Sequence, residues 1–155
     1  MFLSDNQIKE YFDVYEKGYQ TTSNTLNLHI AKEFKEGLLF EKTDEFSAGY
    51  IGGSQEGYPR QKSFWSEETV NLNEETIGIL FGRQHYASKG LLVFPGFIHP
   101  GFDGRLLINA INLGPKILLH RGDAIAYVAF ATTNPVENKF DVADWYRSSL
   151  NIHGL

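Results

Sequence analysis

The sequence predicts a mainly β domain, a distorted barrel or sandwich with short helices near its two ends. Three observations carry this. Short apolar runs at about 76–81, 91–94, 105–111, 116–120 and 124–131 are separated by Pro and Gly at short intervals, the spacing of barrels and sandwiches. Leu26, Leu28 and Ile30 alternate with Asn27 and His29. Successive side chains on a strand point to opposite faces, so this pattern predicts a half-buried strand. Helical spacing is confined to the first residues and to the tail. The chain of 155 residues reads as a single domain, 1–155, with no repeat, low-complexity stretch or linker.

Each element has a local reason. Ser4-Asp5-Asn6-Gln7 has the form of a capping box, in which the Ser and Gln side chains each satisfy a backbone N–H. Ile8, Tyr11, Phe12 and Tyr15 follow at helical spacing, which predicts a helix over about 4–16 that ends near Gly18. Gly49, Gly52, Gly53 and Gly57 punctuate a predicted loop over about 47–62 that carries Tyr50, Tyr58 and Arg60. It reads as a lid or as a plain surface excursion. Residues Pro95 to Gly104 form a turn-rich loop between the runs Leu91–Phe94 and Leu106–Ile108. Phe140, Val142, Trp145 and Tyr146 suit a short C-terminal helix or docking arm.

Composition narrows the function. With no Cys there are no disulfides, thiolate metal sites or Cys nucleophiles. The first ten residues lack a basic stretch followed by an apolar one, and Ala124–Ala131 is too short to span a bilayer. A cytoplasmic protein without a membrane partner is expected. The formal net charge of −5 disfavours a polymeric nucleic acid, which needs a basic face. A small nucleotide needs only one or two Arg side chains and a few backbone N–H groups. The histidines show no tight metal-ligand spacing, so no metal site is expected.

Six segments, in order, resemble the dCTP deaminase/dUTPase family. Phe2-Leu3-Ser4-Asp5 resembles its opening Leu-Ser-Asp. Ser23-Asn24-Thr25-Leu26-Asn27-Leu28 resembles its Ser-Ser-Ile-Asp-Val/Leu strand. Gly82-Arg83-Gln84-His85-Tyr86-Ala87-Ser88-Lys89-Gly90 resembles its phosphate segment, Gly-Arg/Lys-Ser-Ser-x-x-Arg-x-Gly. Gly96-Phe97-Ile98-His99 resembles its Gly-x-Ile-Asp loop, which runs on to an aromatic and a Gly, here Phe102 and Gly104. Asn112-Leu113-Gly114 and Arg121-Gly122-Asp123-Ala124-Ile125-Ala126 resemble its closing motifs. The resemblance implies a dUTPase-like distorted β-barrel of the β-clip type. It also implies a homotrimer with pockets shared between chains, and a nucleotide or nucleotide-derived ligand. No resident cofactor is implied; Mg²⁺ would enter only with a nucleotide triphosphate.

Departures from the pattern fall where the family does its chemistry. Its proton-shuttling Glu aligns with Asn109, and an amide cannot take and return a proton near neutral pH. Its water-positioning Asp aligns with His99. Gln84 and His85 stand at its two Ser positions, Ser88 at its Arg and Tyr127 at its last Gln. The ligand-binding set implied by the resemblance is Arg83, Gln84, His85, Ser88, Gly96, Phe97, Ile98, His99, Phe102, Asn109 and Tyr127. Lys89, Arg105 and Arg121 are weaker phosphate candidates. Bland alternatives stand beside these: the glycines as turn residues, Arg83 as a surface or intersubunit Arg, the aromatics as packing. Two functions are expected from this. The first is a non-catalytic nucleotide binder that sequesters or senses its ligand, including as a phage-type sponge for a defence signalling nucleotide. The second is an active dCTP deaminase or dUTP diphosphatase with rearranged groups, using His99, Asp103 and Asn109, or Glu74 or Glu75.

Overall fold

The computed structural model describes residues 1–31, 49–52 and 60–134. The expected C-terminal arm and residues 53–59 of the Gly-rich loop, Tyr58 included, lie outside the described residues. The element order is α1 (Asp5–Phe12), α2 (Val14–Lys17), β1 (Thr21–Thr22), β2 (Thr25–His29), β3 (Gly49–Ile51), β4 (Gln61–Asn71), β5 (Thr76–Gly82), α3 (Gln84–Ala87), β6 (Leu91–Val93), β7 (Gly96–Ile98), β8 (Asp103–Asn112), β9 (Ile117–Leu119) and β10 (Ala124–Thr132). The strands form three antiparallel sheets, ordered β1-β2-β10-β5-β7, β4-β8-β6 and β3-β9. This is the mainly β architecture expected from the spacing of apolar runs.

The core lies between the sheets. Leu26, Leu28 and Ile30 from the β2 segment, Phe64 from β4, Ile108 from β8, and Ile125 and Phe130 from β10 are all at most 1% exposed. The capping box forms as expected, with Ser4 accepting from the Gln7 N–H and Gln7 accepting from the Ser4 N–H. It starts a helix that buries Ile8 and Phe12, the latter 4.7 Å ring to ring from Phe130.

Four expectations needed correction. The single helix over 4–16 is two helices, because Asp13 adopts a left-handed conformation with φ 50° and ψ 51°. β2 is buried on both faces rather than one: Asn27 is inside, with its Nδ2 donating to Thr22 Oγ1, and His29 is half-buried. The predicted loop over 47–62 contains β3 and the start of β4, and β4 is the longest described strand. Its sequence does not alternate, because Phe64, Trp65 and Ser66 are all buried and the register with β8 shifts between Trp65 and Thr69. A bulge of this kind turns a strand's faces within its own length. The loop from Pro95 to Gly104 also holds a strand, β7, which pairs with β5 at the sheet edge.

The five-stranded sheet has a second, apolar face. Tyr127 pairs with Phe81 and Ala129 with Ile79, while Ile79 also pairs with Phe97. These five side chains are half-buried or exposed.

Candidate functional site

The 95–104 segment is built by hydrogen bonds at both ends of its turn. Phe102 N–H donates to the His99 carbonyl, Gly101 N–H to Asn73, and Leu72 N–H to Phe102. Gly101 has φ +82° and Gly104 φ +152°, backbone that L side chains rarely adopt. The turn sets β7 facing β8. Between them lies a pocket of about 240 Å³ lined by Leu80, Gly96, Phe97, Ile98, His99, Phe102, Arg105, Leu106, Leu107 and Asn109.

Six of the eleven residues expected to bind ligand meet here: Gly96, Phe97, Ile98, His99, Phe102 and Asn109. Ile98 and Phe102 are buried, whereas Phe97 is 54% exposed and meets the His99 ring edge-on at 5.0 Å. Asn109 pairs across the ladder with Ser63, whose hydroxyl donates to Asn109 Oδ1. That bond leaves the Asn109 amide N–H groups for the pocket. The sequence reading missed Leu80, Leu106 and Leu107, and ranked Arg105 low. A signal was present: Arg105, Leu107 and Asn109 are spaced by two on β8 and share its less buried face.

The other expected residues do not line this pocket. Arg83 lies over the Tyr127 ring, 5.2 Å from its centroid; its Nε donates to the Tyr127 hydroxyl and its Nη1 to the Ala124 carbonyl. Gln84 and His85 are exposed on α3, and the Ser88 hydroxyl donates to the His85 carbonyl. Burial holds the Tyr86 phenol above its usual pKa, with the Asp123 charge adding to the effect and Arg83 opposing it. Asp103 is exposed, and neither it nor Glu74 nor Glu75 lines the pocket.

The lining offers donors and apolar surface. Among the described residues, Arg105 and His99 are its ionisable side chains, and no Asp or Glu lines it. Arg105 Nη1 is buried without a hydrogen-bond partner. Among the described residues no group of three or more His, Cys, Asp or Glu is placed to hold a metal, and no helix is long and apolar enough to cross a membrane.

A second cleft, of about 630 Å³, opens beside Lys17, Tyr19, His29, Glu67, Glu68 and Thr69. Its wall contains a close pair: His29 Nδ1 lies 2.7 Å from Glu68 Oε2, and the His29 backbone N–H donates to Glu68 Oε1 at 2.8 Å. None of the residues expected to bind ligand lines it.

Comparison with known proteins matches this geometry to a family. Residues 64–133, which include β7 and β8, match a family model described as dCTP deaminase-like. A probable deoxyuridine 5'-triphosphate nucleotidohydrolase of Sulfolobus islandicus rod-shaped virus 1 is 28% identical, over 91% of this chain and 90% of that protein. A dCTP deaminase of Acidianus ambivalens is 28% identical over 90% of each. Among solved structures, the EIAV dUTPase superposes with a TM-score of 0.54 at 16% identity, over 80% of this chain and 91% of that one. The 2'-deoxycytidine 5'-triphosphate deaminase from Agrobacterium tumefaciens superposes with a TM-score of 0.61 at 11% identity, covering 99% of this chain but 54% of that one. At such identities the superpositions speak for the fold, and the sequence matches show a likeness. From these matches, residues 64–133 are dCTP deaminase-like, and the chain as a whole is similar in sequence and in fold to dCTP deaminases and dUTPases.

Proposed function

We propose that this chain is a nucleotide-binding protein of the dCTP deaminase/dUTPase fold that holds its ligand without turning it over. One observation carries the reading: among the described residues no carboxylate lines the pocket, and Asn109 stands where the family's proton-shuttling Glu would be. An amide orients a ligand but cannot act as general acid and base. The role that follows is sequestration or sensing of a nucleotide, a defence signalling nucleotide among the candidates.

The competing reading is an active deaminase or diphosphatase, and the relatives favour it. A probable deoxyuridine triphosphate nucleotidohydrolase and dCTP deaminases are among the similar proteins. In that case His99, which lines the pocket, is the group to carry proton transfer.

Chromatography separates the two. The protein is incubated with dCTP, dUTP, and cyclic and ADP-ribose-type nucleotides, then heated, and the products are resolved. The binder returns its ligand chemically unchanged. Asn109→Glu is expected to recover no substantial dCTP turnover, since Ser88 still stands at the phosphate Arg position and substrate orientation is itself worth several orders of magnitude in rate. Multiple turnovers by the wild type would reject the binder reading.

We also propose a homotrimer with pockets completed by a neighbouring copy. The apolar face of Phe81, Tyr127, Ala129, Ile79 and Phe97 supports this reading, as does the separation of the Arg83–Ser88 segment from the pocket of its own chain. Contiguous apolar surface of this kind marks an association site. Light scattering should give three times the chain mass of 17.6 kDa. A monomer at micromolar concentration would remove the shared pocket.

A further inference from the structure

Arg83 stands where β5 passes into α3, and three acceptors on β10 converge on it. Its backbone N–H donates to the Ile125 carbonyl at 3.3 Å. Its Nη1 donates to the Ala124 carbonyl at 3.2 Å, and its Nε to the Tyr127 hydroxyl at 3.0 Å. The register of β10 on β2 shifts over the same residues, between Ala124 and Ala126. The guanidinium lies 5.2 Å from the centroid of the Tyr127 ring, and that ring packs on Phe81 with centroids 5.6 Å apart. Arg83 and Tyr127 are both half-buried, so the pair is within reach of a ligand.

A guanidinium grips an oxyanion through two parallel N–H bonds, along its Nε–Nη2 edge or its Nη1–Nη2 edge. Nε carries a single hydrogen, so the bond to Tyr127 closes the first edge outright. A phosphate held on that edge has to displace the protein's own acceptor. The Tyr127 hydroxyl is carried by a side chain that can turn away, whereas the Ala124 carbonyl belongs to the strand. Resting on the reading of this chain as a nucleotide binder, we propose that Tyr127 is an autoinhibitory latch on Arg83. Its hydroxyl occupies the Nε–Nη2 edge, and a phosphate-bearing ligand engages that edge only by displacing it. The latch weakens binding by the worth of one hydrogen bond, and the ring keeps the cation in place when no ligand is bound.

Calorimetric titration with inorganic triphosphate and with dUTP tests this at constant salt. The proteins are the wild type, Tyr127→Phe, Arg83→Ala and the double variant, each checked for a cooperative thermal melt. Tyr127→Phe keeps the ring against Phe81 and removes only the hydroxyl. It should bind both ligands about two- to tenfold more tightly than the wild type, the worth of one hydrogen bond. The gain should vanish when Arg83→Ala is present, because the cycle isolates the coupling between the two side chains. An unchanged affinity in Tyr127→Phe would overturn the proposal, by leaving phosphate to the other edge or to another residue. A weaker affinity would overturn it too, by assigning the hydroxyl to the ligand, as would a gain that persists without Arg83. If neither ligand binds the wild type or Tyr127→Phe at millimolar concentration, the nucleotide reading falls and the latch with it. If dUTP binds both alike, only the latch falls.

Discussion

Replacing Asn112 with leucine is expected to remove about 3–5 kcal/mol of folding stability, read as the loss in unfolding free energy in urea. Asn112 is 1% exposed, and its side chain is fully engaged. Nδ2 donates to the carbonyls of Ile51 and Pro115, both at 2.8 Å, and Oδ1 accepts from Gly114 N–H at 3.0 Å. Leucine occupies a similar volume but leaves all three groups unmatched, at about 1–3 kcal/mol for each buried one. The surroundings cannot adjust easily. Gly90, with φ +99°, packs so tightly on Gly114 that an added Cβ would lie 2.5 Å from its nitrogen. The Asn112 amide thus ties the ends of β3, β8 and the turn before β9 to one another. A loss below about 1 kcal/mol would mean that water replaces these bonds.

His29→Leu is expected to be nearly as damaging, at about 3 kcal/mol, the cost of leaving a buried, charged hydrogen-bonding group without its partner. The Glu68 side chain is 3% exposed, and that of His29 17%. Removing the imidazole strands the carboxylate, which among the described residues keeps the His29 backbone N–H to accept from. The double variant His29→Leu, Glu68→Gln removes the charge while keeping an oxygen for that N–H. It should therefore recover most of the loss. A double variant as unstable as the single one would show that packing of the imidazole, rather than the stranded charge, sets the cost.

The regular parts of the fold were legible in the sequence because their side chains obey one period. β5 and β8 alternate, as does β10 from Ala126 onward, past its irregularity at Ala124–Ala126, and turn residues bound them. β4 was not legible: Phe64-Trp65-Ser66 are buried in succession, Glu68 is inside because His29 receives it, and a bulge shifts the register. Each cause is tertiary, and none leaves a local trace. The helix break at Asp13 was missed because nothing in Tyr11–Tyr15 interrupts the helical spacing of apolar residues. At the site, the 95–104 loop marked the right region by its turn chemistry, and Asn109 followed from the family resemblance. Arg105 stayed in the background because its spacing of two from Leu107 and of four from Asn109 gains meaning only once the strand sets one face toward the pocket.

β7 is three residues long and lies at the edge of its sheet, whereas β10 is paired on both sides. Opening an edge strand exposes few groups, so it belongs to the low free-energy end of a protein's local fluctuations, with the doubly paired centre at the other end. One wall of the pocket can therefore detach and reseal while the rest of the sheet stays closed. Adaptation to a new ligand is thermodynamically insulated from the fold. Substitutions at the exposed Gly96 and Phe97 can retune the wall through its own opening equilibrium and leave the global unfolding transition, held by β10 and its neighbours, where it was, whereas the buried Ile98 ties the wall to the core.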